Sequence, residues 1–411
     1  MSGKAFPEGF LWGAATASYQ VEGGIENTDW AHAAREGRVA PAGRLADHFH
    51  RYEEDFDLAQ SLGHTAHRFS LEWARIEPRE GEFDGAAIAH YRRVIAALRA
   101  RGIEPFVTLW HFTLPQWLAD KGGFEHADAP QIFARYCAYV VRELGTEYVH
   151  VATINEPNIY SALGYLRGAW PPFVRFALAS VSPKVKSEHR ASEATATHTL
   201  WAPVRWWRVV NQLIRAHQLA YAAIKAVRPE LHVSLVKHIH VYDAVGYNPL
   251  SYVWARIAHY CLNAYLMNRV APYCDEIGLN YYRHTTFGDT TEYPRTDMGW
   301  TARPTSIELA LRYLATFKKP LYVSEAGIAD ADDDQRPEYL KAQVLGVRRA
   351  IQTGADVRAH LYWSLIDNYE WDLGVDKKFG LIAINYETLE RTPRPSAYVY
   401  KEIIAQNAVL E

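Results

Sequence analysis

Short apolar runs and longer amphipathic stretches alternate along the whole chain. Runs of four to six residues, mainly β-branched, aromatic or small, occupy 11–15, 66–70, 104–109, 149–154, 232–236, 276–280, 321–324 and 360–364. Runs of this length, bounded by turn residues or charge, predict buried strands. Between them, apolar residues recur at helical spacing. In 87–101, Ile88, Tyr91, Ile95 and Leu98 share one face; the same reasoning predicts helices over 130–144, 206–227, 249–270, 306–317, 337–352 and 395–404. Eight strands alternating with helices, with no compositional break between them, predict an α/β chain folded as a single (β/α)8 TIM barrel spanning 1–411. A doubly wound sheet also alternates strand and helix, but no glycine-rich phosphate loop follows the first run.

Two of the apolar runs end in a glutamate. Thr153-Ile-Asn-Glu156-Pro157 closes the fourth, and Ser324-Glu325-Ala-Gly327 closes the seventh. Proline cannot donate to a strand ladder, so Pro157 is expected to stop the strand and leave Glu156 at its C-terminal lip. The C-terminal mouth of a barrel is where catalytic groups gather, and paired carboxylates there suit acid–base cleavage of an acetal. A glutamate alone in either place could equally cap a helix or face solvent. Other polar or aromatic residues fall at the same ends of the runs: Arg68, His111, Asn280, Tyr282 and Trp363. Strand alternation puts Asn280 and Tyr282 on one side.

Six blocks in order resemble glycoside hydrolase family 1, the retaining β-glucosidases and β-galactosidases. They are 10–23 (FLWGAATASYQVEG), 68–78 (RFSLEWARIEP), 108–115 (TLWHFTLP), 153–157 (TINEP), 324–328 (SEAGI) and 363–371 (WSLIDNYEW) with 379–381 (FGL). The resemblance implies that Glu325 is the nucleophile forming a covalent glycosyl-enzyme and that Glu156 is the general acid and then base. It implies that Arg68 and Tyr282 stabilise the Glu325 anion, and that the two carboxyls lie about 5–5.5 Å apart. Gln20, His111, Asn155 and Glu370 are similar to the family's hydrogen-bonding set for sugar hydroxyls, with Asn155 on the 2-hydroxyl. Asn280, Trp363 and Trp371 complete the implied substrate site. A carboxylate at Glu370 would repel a 6-phosphate, where phospho-glycosidases of the family carry serine, so a free sugar is expected.

The implied function is a retaining exo-β-glycosidase acting on β-D-glucosides, and also on β-galactosides or β-fucosides. Transglycosylation at the same site, or a sugar-binding pseudoenzyme, are the alternatives; the presence of both glutamates weighs against the second. Three departures bear on this. Ala326 follows the nucleophile where the family usually has Asn; Phe112-Thr113 replaces the commoner Trp-Asp; and 174–201, rich in Ser, Ala, Thr and charge, lacks periodicity and is expected to be a long loop, either a mobile lid or partly disordered.

Composition excludes several other classes. A net charge of −3 over 411 residues gives no basic surface for nucleic acid or anionic lipid. No apolar stretch is long enough to span a bilayer. The 13 Trp and 26 Tyr exceed what a core demands, so some rings are expected to face sugar. Cys137, Cys261 and Cys274 form no spaced pair; an odd count fits a reducing, cytoplasmic setting, with the thiols as small core residues. His48 with His50, and His238 with His240, each put two imidazoles on one side of a strand-like stretch, but no third ligand converges on either. No cofactor or metal is expected, and the oligomeric state is not legible.

Overall fold

A computed structural model describes residues 5–178 and 195–409. Eight parallel strands close into a barrel: β1 (Leu11–Ala15), β2 (Ala66–Ser70), β3 (Glu104–Trp110), β4 (His150–Asn155), β5 (His232–His238), β6 (Glu276–Tyr281), β7 (Leu321–Ala326) and β8 (Val357–Trp363). They follow one another around the ring in chain order, and β1 closes it by pairing Leu11 with Ala359 and Ala15 with Trp363. Each strand leads into an outer helix: α1 (His48–Ser61), α2 (Gly85–Ala100), α3 (Ala129–Glu143), α4 (Ala202–Val227), α5 (Pro249–His259), α6 (Ile307–Ala315), α7 (Arg336–Gln352) and α8 (Pro395–Gln406).

The apolar runs are nearly continuous because each strand is covered on both sides. Inward positions on the strands, among them Ala66, Phe106, Ala152, Val236, Tyr322 and Leu361, fill the barrel. Outward positions meet the helices in a larger core that includes Val107, Val151, Leu235, Leu279 and Val323. Helix entry follows local chemistry: the Asp84 side chain accepts from the amides of Ala86 and Ala87, capping α2.

Several elements depart from the sequence pattern. Strand β8 begins three residues before the apolar run at 360: the exposed Arg358 breaks the pattern at a shift of register, and Val357 before it still pairs with Leu321. The predicted helix over 249–270 is divided by a wide π-turn at Tyr260–Ala264. Pro157 does end β4, but it is also the first residue of a short helix, Pro157–Tyr165, where its missing N–H costs nothing. His48 and His50 lie in the first turn of α1 rather than on a strand, so they diverge: His48 meets Asp55 at 2.7 Å and His50 meets Asp47 at 2.7 Å. The ends of the expected long loop pair with each other, Val174–Phe176 against Thr197–Thr199, and its middle lies outside the described residues. Cys137 and Cys274 are buried as expected, whereas Cys261 is exposed on the π-turn. Among the described residues no helix is long and apolar enough to cross a membrane.

Candidate active site

The C-terminal ends of the strands deliver the predicted residues to one cavity. Gln20, His111, Glu156, Tyr282, Glu325, Trp363, Glu370 and Trp371 all line it. Arg68, Asn155 and Asn280 lie just beneath, fully buried, and hold the lining in place.

Glu325 is the penultimate residue of β7, and its carboxylate is held from two sides. Arg68 Nη1, on β2, donates to Oε1 at 2.5 Å, and the Tyr282 hydroxyl donates to Oε2 at 2.9 Å. Gly327 lets this strand end approach β8: a Cβ there would sit 1.9 Å from the Trp363 carbonyl oxygen. Arg68 is fixed in turn, its Nε donating to Thr108 Oγ1 at 2.9 Å and its Nη2 to Asn155 Oδ1 at 2.8 Å.

Glu156 follows β4 in a left-handed conformation, with φ at 43°. Such a backbone is costly for a non-glycine residue and persists only where its surroundings over-determine it. Here its N–H is held by the Val236 carbonyl at 2.9 Å, and Pro157 opens a helix directly after it. Its carboxyl has one close side-chain donor, Asn280 Nδ2 at 2.7 Å; that amide is oriented by Ser324 Oγ, which donates to its Oδ1 at 2.7 Å.

The two environments divide the chemistry of the pair. Burial first, and then the negative charge of Glu325, raise Glu156 from an ordinary 4.5 to about 8, with the Asn280 hydrogen bond only partly offsetting them. Burial raises Glu325 too, but the charge and hydrogen bond of Arg68, followed by the hydrogen bond from Tyr282, pull it back. When the pair holds one proton, that proton sits on Glu156 and the charge on Glu325.

The hydrogen-bonding floor is equally determined. Asn155 Oδ1 accepts from Arg68 and, at 3.2 Å, from Asn280, so its Nδ2 faces His111 Nε2 at 3.2 Å. His111 therefore accepts at Nε2 and carries its proton on Nδ1, which is buried with no partner among the described residues. Burial first, and the Arg68 charge second, hold His111 well below its ordinary value, so it is neutral. Gln20 donates to the Tyr369 carbonyl at 2.7 Å and to Asn368 Oδ1 at 3.2 Å, leaving its own Oε1 buried and unpartnered. A donor on His111 and an acceptor on Gln20 are thus left for a polyhydroxylated ligand. Trp363 and Trp371 lie nearly parallel to the His111 ring at 6.0 and 6.1 Å.

Phe112 keeps an aromatic wall, packing on Trp170 at 4.9 Å and on Trp371 at 5.2 Å. Thr113 donates to Glu72 Oε2 at 3.0 Å, and Ser18 Oγ donates to the same oxygen at 3.2 Å. This buried carboxylate ties the loop carrying Gln20 to the loop carrying His111. Ala326 is fully buried and pairs with Tyr281 and Tyr362, so the side-chain amide near both carboxyls comes from Asn280.

A search of the known families gives the decisive match. The model of glycosyl hydrolase family 1 fits residues 2–244 and 229–409. The chain belongs to glycosyl hydrolase family 1. Among curated family members it is 29% identical to "Beta-glucosidase A" of Thermotoga maritima, over all of both chains. It is 30% identical to "Beta-galactosidase" of Sulfolobus acidocaldarius, covering 99% of this chain and 96% of that one. Among solved structures, a beta-glycosidase from Pyrococcus horikoshii superposes with a TM-score of 0.86 at 33% identity, covering 100% of this chain and 97% of that one.

For a family 1 barrel, the part of the cavity that sequence reasoning missed is its outer wall. Trp170, His238, His240, Tyr242 and Trp300 line it. His238 lies parallel to Tyr282 at 6.0 Å, and His240 stacks on Tyr242 at 4.2 Å and meets Thr285 Oγ1 at 2.8 Å. The two imidazoles are 6.4 Å apart and nearly perpendicular, so they serve as wall rather than as a chelate. Lys237, also missed, is completely buried beneath them. Its ammonium donates to the carbonyls of His238 at 2.6 Å and Leu262 at 3.0 Å and to Asn263 Oδ1 at 3.4 Å, the last two in the π-turn. Burial lowers this lysine to about 7, and Glu156 opposes the shift. The alternation that marks strands treats a lysine there as a break and cannot reveal its neighbours.

Proposed function

We propose that this chain is a retaining exo-β-glycosidase that hydrolyses β-D-glucosides, and also β-galactosides and β-fucosides, through a covalent glycosyl-enzyme. The observation that carries the reading is the asymmetry of the two buried glutamates: one is clamped by a permanent cation and a phenol, the other is left protonated. An ionised Glu325 attacks the anomeric carbon while Glu156 gives its proton to the departing oxygen. Bond formation between Glu325 and the sugar removes the charge that raises Glu156. The acidity of Glu156 then returns towards the ordinary range, and as a carboxylate it takes a proton from the water that releases the sugar. Asn155 and His111 face the sugar hydroxyls, Gln20 and Glu370 accept from them, and Trp363 and Trp371 cover its apolar face. Relatives named as beta-glucosidases and a beta-galactosidase support the glucoside and galactoside parts of this range. A single barrel carries the whole activity, without cofactor, nucleic acid or membrane, in the cytoplasm.

The test is a proton NMR time course with nitrophenyl β-glucoside and β-galactoside. Early appearance of the β-anomer is expected, and relative rates rank the two sugars. An α-anomer appearing first means inversion and removes the nucleophilic role of Glu325.

A further inference from the structure

The opposite end of the barrel carries a second cluster with its own chemistry. His150 opens β4, His232 opens β5 and Glu276 opens β6. The strands are neighbours; His150 pairs in register with His232, and Glu276 with Ser234. Side chains alternate along a strand, so His150 shares a face with Ala152, which lies in the barrel interior. His232 likewise shares a face with Val236, and Glu276 with Asn280. All three point into the N-terminal mouth of the barrel.

Their donor atoms converge. His150 Nδ1 is 3.0 Å from each oxygen of Glu276, and His232 Nδ1 is 4.0 Å from Glu276 Oε2. One nitrogen from each imidazole and one carboxylate oxygen all fall within 4.8 Å of one another. Ligands of a tetrahedral zinc ion, at bond lengths of 2.0–2.2 Å, stand about 3.3 Å apart. The cluster therefore needs displacements of an ångström or so, and His232 has the freedom for them, its side chain being half exposed. The His150 ring is already fixed, lying face to face on Phe106 at 4.1 Å and 4°. The nearby cation Arg358 is engaged elsewhere, donating to both oxygens of Asp356 at 3.0 and 2.8 Å.

We infer that His150, His232 and Glu276 form a binding site for one divalent transition-metal ion of the zinc type, open to solvent at the N-terminal mouth of the barrel. Two imidazoles and a carboxylate are a ligand set of borderline softness that suits zinc, copper or nickel rather than calcium or magnesium. The site lies roughly 13 Å below Asn280, four residues further along the same strand, so the ion does not reach the reacting sugar. It ties together the starts of three consecutive strands and stabilises the folded barrel by mass action.

The test is calorimetric titration of the chelator-stripped chain with zinc chloride, together with thermal melts with and without the metal. One saturable site per chain and a melting temperature raised by zinc are expected. H232A and E276Q should each weaken binding by at least about tenfold. Both should also lose the zinc-dependent rise in melting temperature while still hydrolysing a nitrophenyl glucoside. His232 is half exposed, so its removal leaves the core intact. Absence of saturable binding up to millimolar zinc, or equal binding by wild type and both variants, overturns the assignment and leaves a His150–Glu276 hydrogen bond.

Discussion

Glu325 and Glu156 are buried glutamates at the ends of two strands of one barrel, yet their surroundings give them opposite protonation. Around Glu325 the charge is met by a guanidinium at 2.5 Å and a phenol at 2.9 Å. Around Glu156 a neutral amide at 2.7 Å is the nearest donor, and the ammonium of Lys237 gives its hydrogen bonds to two backbone carbonyls and to Asn263 Oδ1. Burial alone raises both carboxyls; the difference between them comes from which charges the fold brings near. The same barrel therefore supplies an anion and an acid from one residue type.

Removing the anion should have the largest effect. E325G is expected to lower kcat by about 10⁴-fold or more, with azide restoring some cleavage of an activated glycoside. Wild-type turnover in that variant would end the assignment of the nucleophile. Removing the acid should be selective: E156A should lose about 10³-fold on a poorly activated leaving group and far less on a dinitrophenolate, which departs without a proton. Equal losses across leaving groups would show that Glu156 does not protonate the departing oxygen.

Weaker changes probe the asymmetry itself. Y282F removes one of the two clamps on Glu325 and should cost about tenfold in kcat/KM, the worth of one hydrogen bond to a charged group. The pH dependence follows from Glu156. Its carboxyl must be protonated to act as an acid, so kcat/KM should fall as pH rises through about 8. The same shift has a sign for stability. Glu156 is raised in the folded chain, so its contribution is most favourable below about 4.5 and is lost progressively as pH climbs towards 8. E156Q should not show that loss, and melts of wild type and variant at pH 5 and pH 8 would read the difference. The smallest change expected is in K237M: Lys237, itself lowered to about 7, keeps part of its charge only where Glu156 begins to titrate, so its loss should move the alkaline limb slightly to higher pH. A limb that stayed in place would show that Lys237 only braces the π-turn.

Legibility in the sequence followed how local each feature is. All eight strands are visible because each is buried on both faces and must be largely apolar. Their exact starts were less legible where one exposed side chain, such as Arg358, broke the run. Eight of the eleven expected site residues line the cavity itself, because motif and strand end coincide at Glu156, Glu325, His111 and Trp363. The outer wall of Trp170, Tyr242 and Trp300 was not legible. Trp170 and Trp300 come from irregular segments and Tyr242 from a short two-stranded sheet, Val241–Ala244 with His284–Phe287, and nothing in their spacing says which ones meet.

What the sequence by itself determined is the alternation of buried strands with amphipathic helices, and the placement of carboxylates where strands end. Those depend on the chain's own period and on residues next to each other along it. Only the tertiary structure decided which carboxyl keeps its proton, which amide orients which ring, and that two histidines and a glutamate from three strands converge at the far mouth. Those outcomes depend on distances between groups 40 to 257 residues apart, from Arg68 with Thr108 to Arg68 with Glu325. Electrostatic and metal-binding energies are set by ångströms in space, and closure of the barrel is what converts sequence separation into those distances.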